Sequence, residues 1–416
     1  MKKNKKLPKV ETGGELVINP KVRPEPNEYL LEISRKIKLC KILVILFTVV
    51  FMCGMIFIFR SDITLENYRY LIRFFSSDGD YNGDYRTIYF DSASTSSIGI
   101  FNGDLVTVST NGINLYSMKG NNTLTENLSY SNPMIDTHGK YLAVYDLGGY
   151  SFELLNNFSV LYSETFDYPI SLAKVSEDGM FALVTKSLEY QSVVNLYDHN
   201  FRLLSRIYKD KYVMDLDISH DESEILVVSA YSENGIYCSE VMIGQPYVSE
   251  SESTAVLTNE FALSCNYFAD GSYCVMTDKA LHFYNDDNQE TGNYQFGNIV
   301  PTKFEATENN VIISYNKNIV GSEMGIFIFD EKGEIKSEYT VPDRVLDIAC
   351  YKDDFFILCA KNINRLNFKS DEIQSYPITG GSTRIFVCDD DTVIVGYTNM
   401  IEAHSVSKMF NEKAGG

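Results

Sequence analysis

From Arg86 to Ser405 the chain repeats one short pattern, and that repetition restricts the fold more than anything else in the sequence. One copy reads Ile170 to Ser176 (ISLAKVS), a turn at Glu177-Asp178-Gly179, Phe181 to Thr185 (FALVT), a variable loop, Val193 to Asp198 (VVNLYD) and Leu203 to Tyr208 (LLSRIY). Short runs of Val, Ile, Leu, Tyr and Phe between polar turns form strands rather than helices. Each copy therefore encodes four strands joined by three turns.

The turn into the second strand marks each copy. It recurs at Asn102-Gly103-Asp104, His138-Gly139-Lys140, Glu177-Asp178-Gly179, Asp221-Glu222-Ser223, Asp270-Gly271-Ser272, Glu308-Asn309-Asn310, Lys352-Asp353-Asp354 and Asp389-Asp390-Asp391. Second strands begin near Leu105, Leu142, Phe181, Ile225, Tyr273, Val311, Phe355 and Thr392, in steps of 37 to 48 residues. That is the period of a four-stranded propeller blade. Asp and Asn suit the turn because they bond their own backbone, and Gly because it takes the positive φ of a tight hairpin. The third strand repeats too, as Asn114-Leu115-Tyr116, Asn195-Leu196-Tyr197-Asp198, Leu281-His282-Phe283-Tyr284-Asn285 and Ile326-Phe327-Ile328-Phe329-Asp330.

The last copy is one strand short. It supplies Arg384 to Val387, Thr392 to Tyr397 and Ile401 to Ser405, and the remainder, 407–416, reads as a tail. Arg86 to Asp91 (RTIYFD) belongs to no copy, and adding it to the last blade would close the ring and remove exposed sheet edges. The expectation is an all-β propeller over 86–406, built of eight four-stranded blades, or of seven if one degenerate copy is a loop.

Ahead of the repeats lies an uncharged run, Ile42 to Phe59, in which thirteen of eighteen residues are Ile, Leu, Val or Phe. As a helix it spans roughly 27 Å, close to the hydrocarbon thickness of a bilayer. Residues 1–41 hold eleven Lys and Arg against five Glu, so the remainder carries a net charge of −26. The positive-inside rule then places the N-terminus in the cytoplasm and the propeller outside. No small-residue cleavage site follows the run, so it reads as an uncleaved signal anchor over 39–60. A polar tail with Pro8, Pro20, Pro24 and Pro26 occupies 1–38 and reads as largely disordered. The segment 61–85 reads as a short juxtamembrane helix followed by an acidic Gly/Ser linker.

A basic tail, one anchor, a juxtamembrane helix and a propeller on S-x-D-G-like hairpins together resemble a particular group. It is an uncharacterised domain-of-unknown-function family of single-pass, membrane-anchored β-propeller proteins from Gram-positive anaerobes. At blade level the turns are similar to those of TolB-type and WD40-type propellers, without the Trp-Asp ending of the latter. The resemblance implies architecture and location at the cell membrane; it supplies no activity.

Missing residues narrow the chemistry. The chain has no Trp, which argues against quinoprotein-type blades and sialidase Asp-boxes. It contains no G-x-S-x-G, P-loop, H-E-x-x-H or C-x-x-C pattern. The five histidines (His138, His199, His220, His282, His404) are dispersed and read as solvent-facing or packing residues. No catalytic residue is assigned and no cofactor is expected. A net charge of −26 repels phosphate backbones, which argues against nucleic-acid partners.

Two weak site candidates stand out. Asp78, Asp80, Asn82 and Asp84 mimic the start of a calcium loop, but the twelfth position is Tyr89 and a bidentate Glu is missing, so an acidic linker is the stronger reading. Lys303, Arg344 and Arg384 precede the inner strands of three successive copies and form a candidate anion site at a channel mouth; neighbouring Glu305, Asp343 and Asp347 can neutralise them instead. Cys265/Cys274 and Cys350/Cys359 bracket hairpins at one interval and read as disulfide candidates or as small buried hydrophobes. Tyr150, Tyr168, Tyr190 and Tyr231 fall in predicted loops, where they can anchor a ligand, whereas most of the twenty-nine Tyr and twenty-five Phe read as packing between blades in place of Trp.

Two functional classes remain. The first is a non-enzymatic binding or scaffold module for a protein or cell-envelope polymer. The second is an envelope-active glycosidase or lyase whose carboxylates converge at the channel mouth.

Overall fold

The computed structural model describes residues 28–58, 85–90, 95–118, 122–157, 159–248, 252–318, 323–352, 354–367 and 370–411. The chain divides into two compact units, Met1–Ser77 and Asp78–Gly416. In the first, helix α1 runs Glu28–Ile58. Its stretch Arg35–Gly54 is long and apolar enough to cross a membrane, and its large apolar side chains from Ile37 to Met52 are 52–73% exposed. A helix apolar on every face needs an apolar environment around it.

The helix starts at Glu28, ahead of the expected 39–60 segment, so part of the tail expected to be disordered is helical. The reason is local. Pro26 precedes the start, and from Glu28 to Met52 the sequence holds neither Pro nor Gly but many good helix formers. The expected juxtamembrane helix and linker, 61–84, lie outside the described residues.

In the second unit the described residues form thirty-two strands, β1 to β32 in chain order, arranged as eight sheets of four. Eight blades, not seven, make the ring. Seven blades are sequential meanders; the third comprises β10 (Ile170–Val175), β11 (Phe181–Thr185), β12 (Ser192–Tyr197) and β13 (Leu203–Lys209). The eighth has the order β1-β32-β31-β30, from β1 (Tyr85–Tyr89) through β32 (Met400–Ser405) and β31 (Thr392–Gly396) to β30 (Arg384–Asp389). Its register pairs Arg86 with Ala403 and Ile88 with Ile401. The N-terminal strand completes the last blade, as the count of strands in the final copy requires.

Hydrophobic clusters join neighbouring blades. Along β11, Phe181 and Leu183 pack on Phe152 and Leu154 of the second blade, whereas Ala182 and Val184 pack on Leu216, Ile225 and Val227 of the fourth. Alternate side chains of a strand point to opposite faces, so a blade buried on both faces reads as a continuous apolar run. In place of Trp, aromatic rings fill these junctions: Phe181 stacks on Tyr197 at 4.7 Å and on Phe152 at 5.2 Å.

The first-to-second turns use glycine as expected, with Gly103, Gly139, Gly179 and Gly271 at φ between 52° and 101°. In the degenerate copies a side-chain-bearing residue takes that conformation, Glu222 at 57° and Lys352 at 52°. Together with the third-to-fourth turns they form one end of the ring, here termed proximal. Second-to-third turns and blade-to-blade connections form the distal end. The expected C-terminal tail is in part a helix, α2 (Val406–Asn411), because Val406, Met409 and Phe410 bury their side chains at the junction of the last two blades.

Closure predicts a contrast between adjacent β1 residues. Ile88→Ala should destabilise the propeller by about 2–4 kcal/mol, and Tyr89→Ala, at a 70% exposed position, by no more than about 0.5 kcal/mol. Urea unfolding of the two variants measures both.

Candidate functional site

The first strand of each blade is innermost, since adjacent blades meet through these strands: β6 (Pro133–His138) touches β10, β14 (Tyr212–Ile218) touches β18 (Ala262–Tyr267), and β26 (Val345–Tyr351) touches β30. An innermost strand is a sheet edge. One row of its backbone groups pairs with the second strand, and the other faces the channel without a strand partner.

Aspartates of the preceding blade fill four of those gaps. Val175 N–H donates to Asp136 Oδ2 at 2.9 Å, Tyr267 N–H to Asp217 Oδ2 at 2.8 Å, Cys265 N–H to Asp215 Oδ2 at 3.1 Å and Ile385 N–H to Asp347 Oδ2 at 3.1 Å. In every case the carboxylate belongs to one blade and the N–H to the next. A charged acceptor makes a stronger bond than a neutral one, so these contacts tie adjacent blades together at the channel wall.

Register sorts the charged groups into two layers. Asp136, Lys174, Asp217 and Glu305 pair with Ala143, Ala182, Leu226 and Ile312, each the second residue of its partner's apolar run. Asp215, Lys303, Asp347 and Arg384 pair two residues deeper, with Val228, Ser314, Leu358 and Gly396. Lys174 Nζ lies 3.8 Å from Asp136 Oδ1, and Lys303 Nζ 3.4 Å from Asp347 Oδ1.

The channel perturbs these groups. Desolvation pushes the Asp136 and Asp217 carboxyls up, while the Lys174 ammonium and backbone donors pull them back. Burial would lower Lys174, but Asp136, Asp215 and Asp217 outweigh it and hold the amine above its ordinary value. Glu305 is pushed up to about 7 by burial and then by the Asp347 carboxylate, with Lys303 opposing.

At the proximal end the upper layer opens into a cavity of about 210 Å³. Asp136, Lys174, Asp217 and Asn266 line it, with Glu177, His220 and Glu308 contributed by the turns. Among the described residues no three His, Cys, Asp or Glu side chains are placed to hold a metal ion.

The basic trio is only partly assembled. Lys303 is inside a strand, β22 (Pro301–Ala306), and pairs with Asp347; Arg384 opens β30 and Arg344 directly precedes β26, both exposed. Lys303 and Arg384 share one register layer, and Asp347 on the blade between them carries the opposite charge. Asp78, Asp80, Asn82 and Asp84 lie outside the described residues. Cys265 and Cys274 pack into different junctions on opposite faces of one blade, because Cys265 pairs with Val275 and not with Cys274.

His138 and His220 are exposed at turns. His282 and His404 instead are buried on third strands: His282 sits between Glu260 (2.8 Å) and Glu290 (2.9 Å), and His404 is 3.3 Å from Glu402. Asn195, at the same register position as His282, donates to Leu183 O and Thr185 Oγ1 and so secures its hairpin. The polar residue in the third-strand repeat was the sequence signal for this layer. The inter-blade aspartates had no such signal, because their partners are backbone groups.

A model of a family of unknown function, DUF5711, matches residues 84–403. The chain belongs to this family. No curated protein matches it. Among solved structures, this DUF5711 propeller is similar to BamB from Moraxella catarrhalis, with a TM-score of 0.53 and 11% identity over 78% of this chain and 99% of that one. At that identity the likeness shows the fold alone.

Glu305 gives the DUF5711 propeller a pH signature. Its folded-state pKa of about 7 exceeds the ordinary 4.5, so the folded chain holds a proton that the unfolded chain releases between these values. Stability from this group is therefore lost as pH rises through that window. Glu305→Gln should melt progressively higher than the parent from pH 5 to pH 7, with a constant gap above. Thermal melts across pH test it, and parallel curves would count against the buried-acid assignment.

Proposed function

We propose that the chain is a membrane-anchored, extracytoplasmic scaffold that binds a protein partner through the distal end of its propeller, without catalysis. The observation that carries this reading is where exposed apolar side chains gather: Leu188, Tyr208, Tyr212, Ile236, Tyr237 and Leu263, all on distal loops and strand ends of blades three to five, are 45–90% exposed. Scattered exposed apolar residues are ordinary, but a contiguous group of them marks an interaction site. The anchor reading rests on the length and apolarity of α1 and on the excess of Lys and Arg before it.

An enzymatic reading has two candidate carboxyl pairs: Asp136 with Asp217 in the proximal cavity, which already accept the N–H groups of Val175 and Tyr267, and Glu305 with Asp347, with Glu305 raised as an acid catalyst would be. Asp347, however, has one oxygen on Ile385 N–H and the other beside Lys303, and neither carboxyl of this second pair lines the proximal cavity. The arrangement fits inter-blade bonding better than turnover.

Two outcomes are expected. Protease added to intact cells should degrade the propeller and leave the basic tail protected; protection of the propeller until the membrane is opened would reverse the orientation. Cross-linked pull-down of the full-length chain should return a reproducible protein partner, whereas release of envelope glycan fragments by the purified protein would replace the scaffold with an enzyme.

A further inference from the structure

The fourth blade departs from the others. Its second and third strands, β15 (Ile225–Glu233) and β16 (Ile236–Gly244), are nine residues each, against five in β11. They turn tightly at Asn234 (φ 52°) and Gly235 (φ 79°), both left-handed, as a two-residue hairpin requires. The strand on one side pairs only as far as Ala230 and the strand on the other only as far as Cys238. Residues 231–237 therefore project beyond the blade at the distal end.

Apolar side chains gather around this hairpin. Tyr237 meets Phe261 edge-on at 6.3 Å, and on the third blade Tyr190 packs on Tyr208 at 5.0 Å, beside Leu188, which is 90% exposed. Lys211 lies 4.4 Å over the Tyr231 ring between the two groups. Rigid tyrosines with a polar tip are efficient anchors, since they bring large contact area at little cost in side-chain entropy.

The charges around the patch are unequally satisfied. Lys209 and Lys211 both bond Glu240, at 2.8 and 2.7 Å. The exposed carboxylates of Glu189, Asp210 and Glu233 enter no ion pair among the described residues. Of the cations on the distal loops of these two blades, Lys186 is also exposed and in no ion pair among the described residues, so three such carboxylates stand against one ammonium, which favours a partner of opposite sign and steers its approach.

We infer that the distal surface of blades three and four, centred on the β15–β16 hairpin, docks a protein segment that presents apolar side chains flanked by Lys or Arg. This rests on the scaffold reading and gives it a location and a partner chemistry. A lipid surface is the poorer occupant: free carboxylates repel anionic headgroups. The chain also enters β1 at Tyr85, opposite His404, which is the proximal end.

Site-specific photo-cross-linking in the full-length chain in cells separates the two ideas. Probes replacing Leu188 and Tyr237 should yield a shared protein adduct, and probes replacing Leu203 and Tyr247, exposed at the proximal end, should not. Adducts only from Leu203 and Tyr247 would overturn this surface and leave the scaffold standing; no adduct from any of the four would overturn both. For the chemistry, the detergent-solubilised chain is titrated with a Leu/Lys peptide and a Leu/Glu peptide of equal length. The Leu/Lys peptide should bind, and Leu188→Ser with Tyr237→Ser should weaken it at least about tenfold, equivalent to ~1.4 kcal/mol, while Tyr247→Ser leaves it unchanged. Equal binding of the Leu/Glu peptide, equal loss in Tyr247→Ser, or preferential binding to anionic vesicles through Leu188 and Tyr237 would each overturn the assignment.

Discussion

Pairing of β1 with β32 is the contact on which the rest of the propeller depends. Ile88 and Phe90 enter the same cluster as Leu105, Ile394, Ile401 and Ala403, so the N-terminal strand joins the last blade to the first. An open ring would leave those two blades with one bare apolar face each, and the other junctions would lose the closure that fixes their spacing. The bond links residues more than three hundred positions apart, so it forms only after the whole propeller sequence is present. Variation in repeat length is tolerated because it falls in loops and in the distal extension of β15 and β16, away from the packing between blades.

Burial of both blade faces leaves polar side chains few places to go. They occupy turns, the exposed outermost strands such as β5 (Asn122–Asn127), the third-strand hairpin position and the channel-side edge of the innermost strands. At that edge the backbone itself needs acceptors, and Asp136, Asp215, Asp217 and Asp347 supply them. Most of the channel charge is therefore structural. Lys174 and Lys303 moderate the repulsion among these carboxylates, and Glu305, with Asp347 near and Lys303 insufficient to offset burial, carries the residual strain as a raised pKa.

The architecture was legible because it rests on local chemistry repeated eight times: apolar runs, Asp, Asn and Gly turns, and one unmatched strand at the N-terminus. Even the substitution of Phe and Tyr for Trp at the junctions followed from composition. The inter-blade carboxylates were not legible, since an Asp such as Asp217 in an inner strand looks the same whether it faces water or a neighbouring N–H. Helix α2 was missed because its apolar residues, Val406, Met409 and Phe410, are too few to show a period and gain their meaning only from the junction beneath them. Tyr190 does lie in a loop, but Tyr231, expected in one, lies inside β15, because that strand and β16 run on beyond the length of the other blades' strands.

The two ends of the ring differ in a way that bears on how such a protein would work. On the proposed topology the anchor leads into the proximal end, and the aromatic surface lies at the other. Residues 59–84 separate α1 from β1, a span of 26 residues that reaches at most roughly 90 Å when extended. A partner in the same membrane layer would thus meet the propeller at a high effective concentration, because the tether removes most of the volume it would otherwise explore. Under that condition a modest surface of tyrosines and carboxylates would need less intrinsic affinity to be occupied than the same surface on an untethered chain. A larger apolar surface would bind more tightly but would also promote self-association between neighbouring tethered copies, which the high net negative charge opposes.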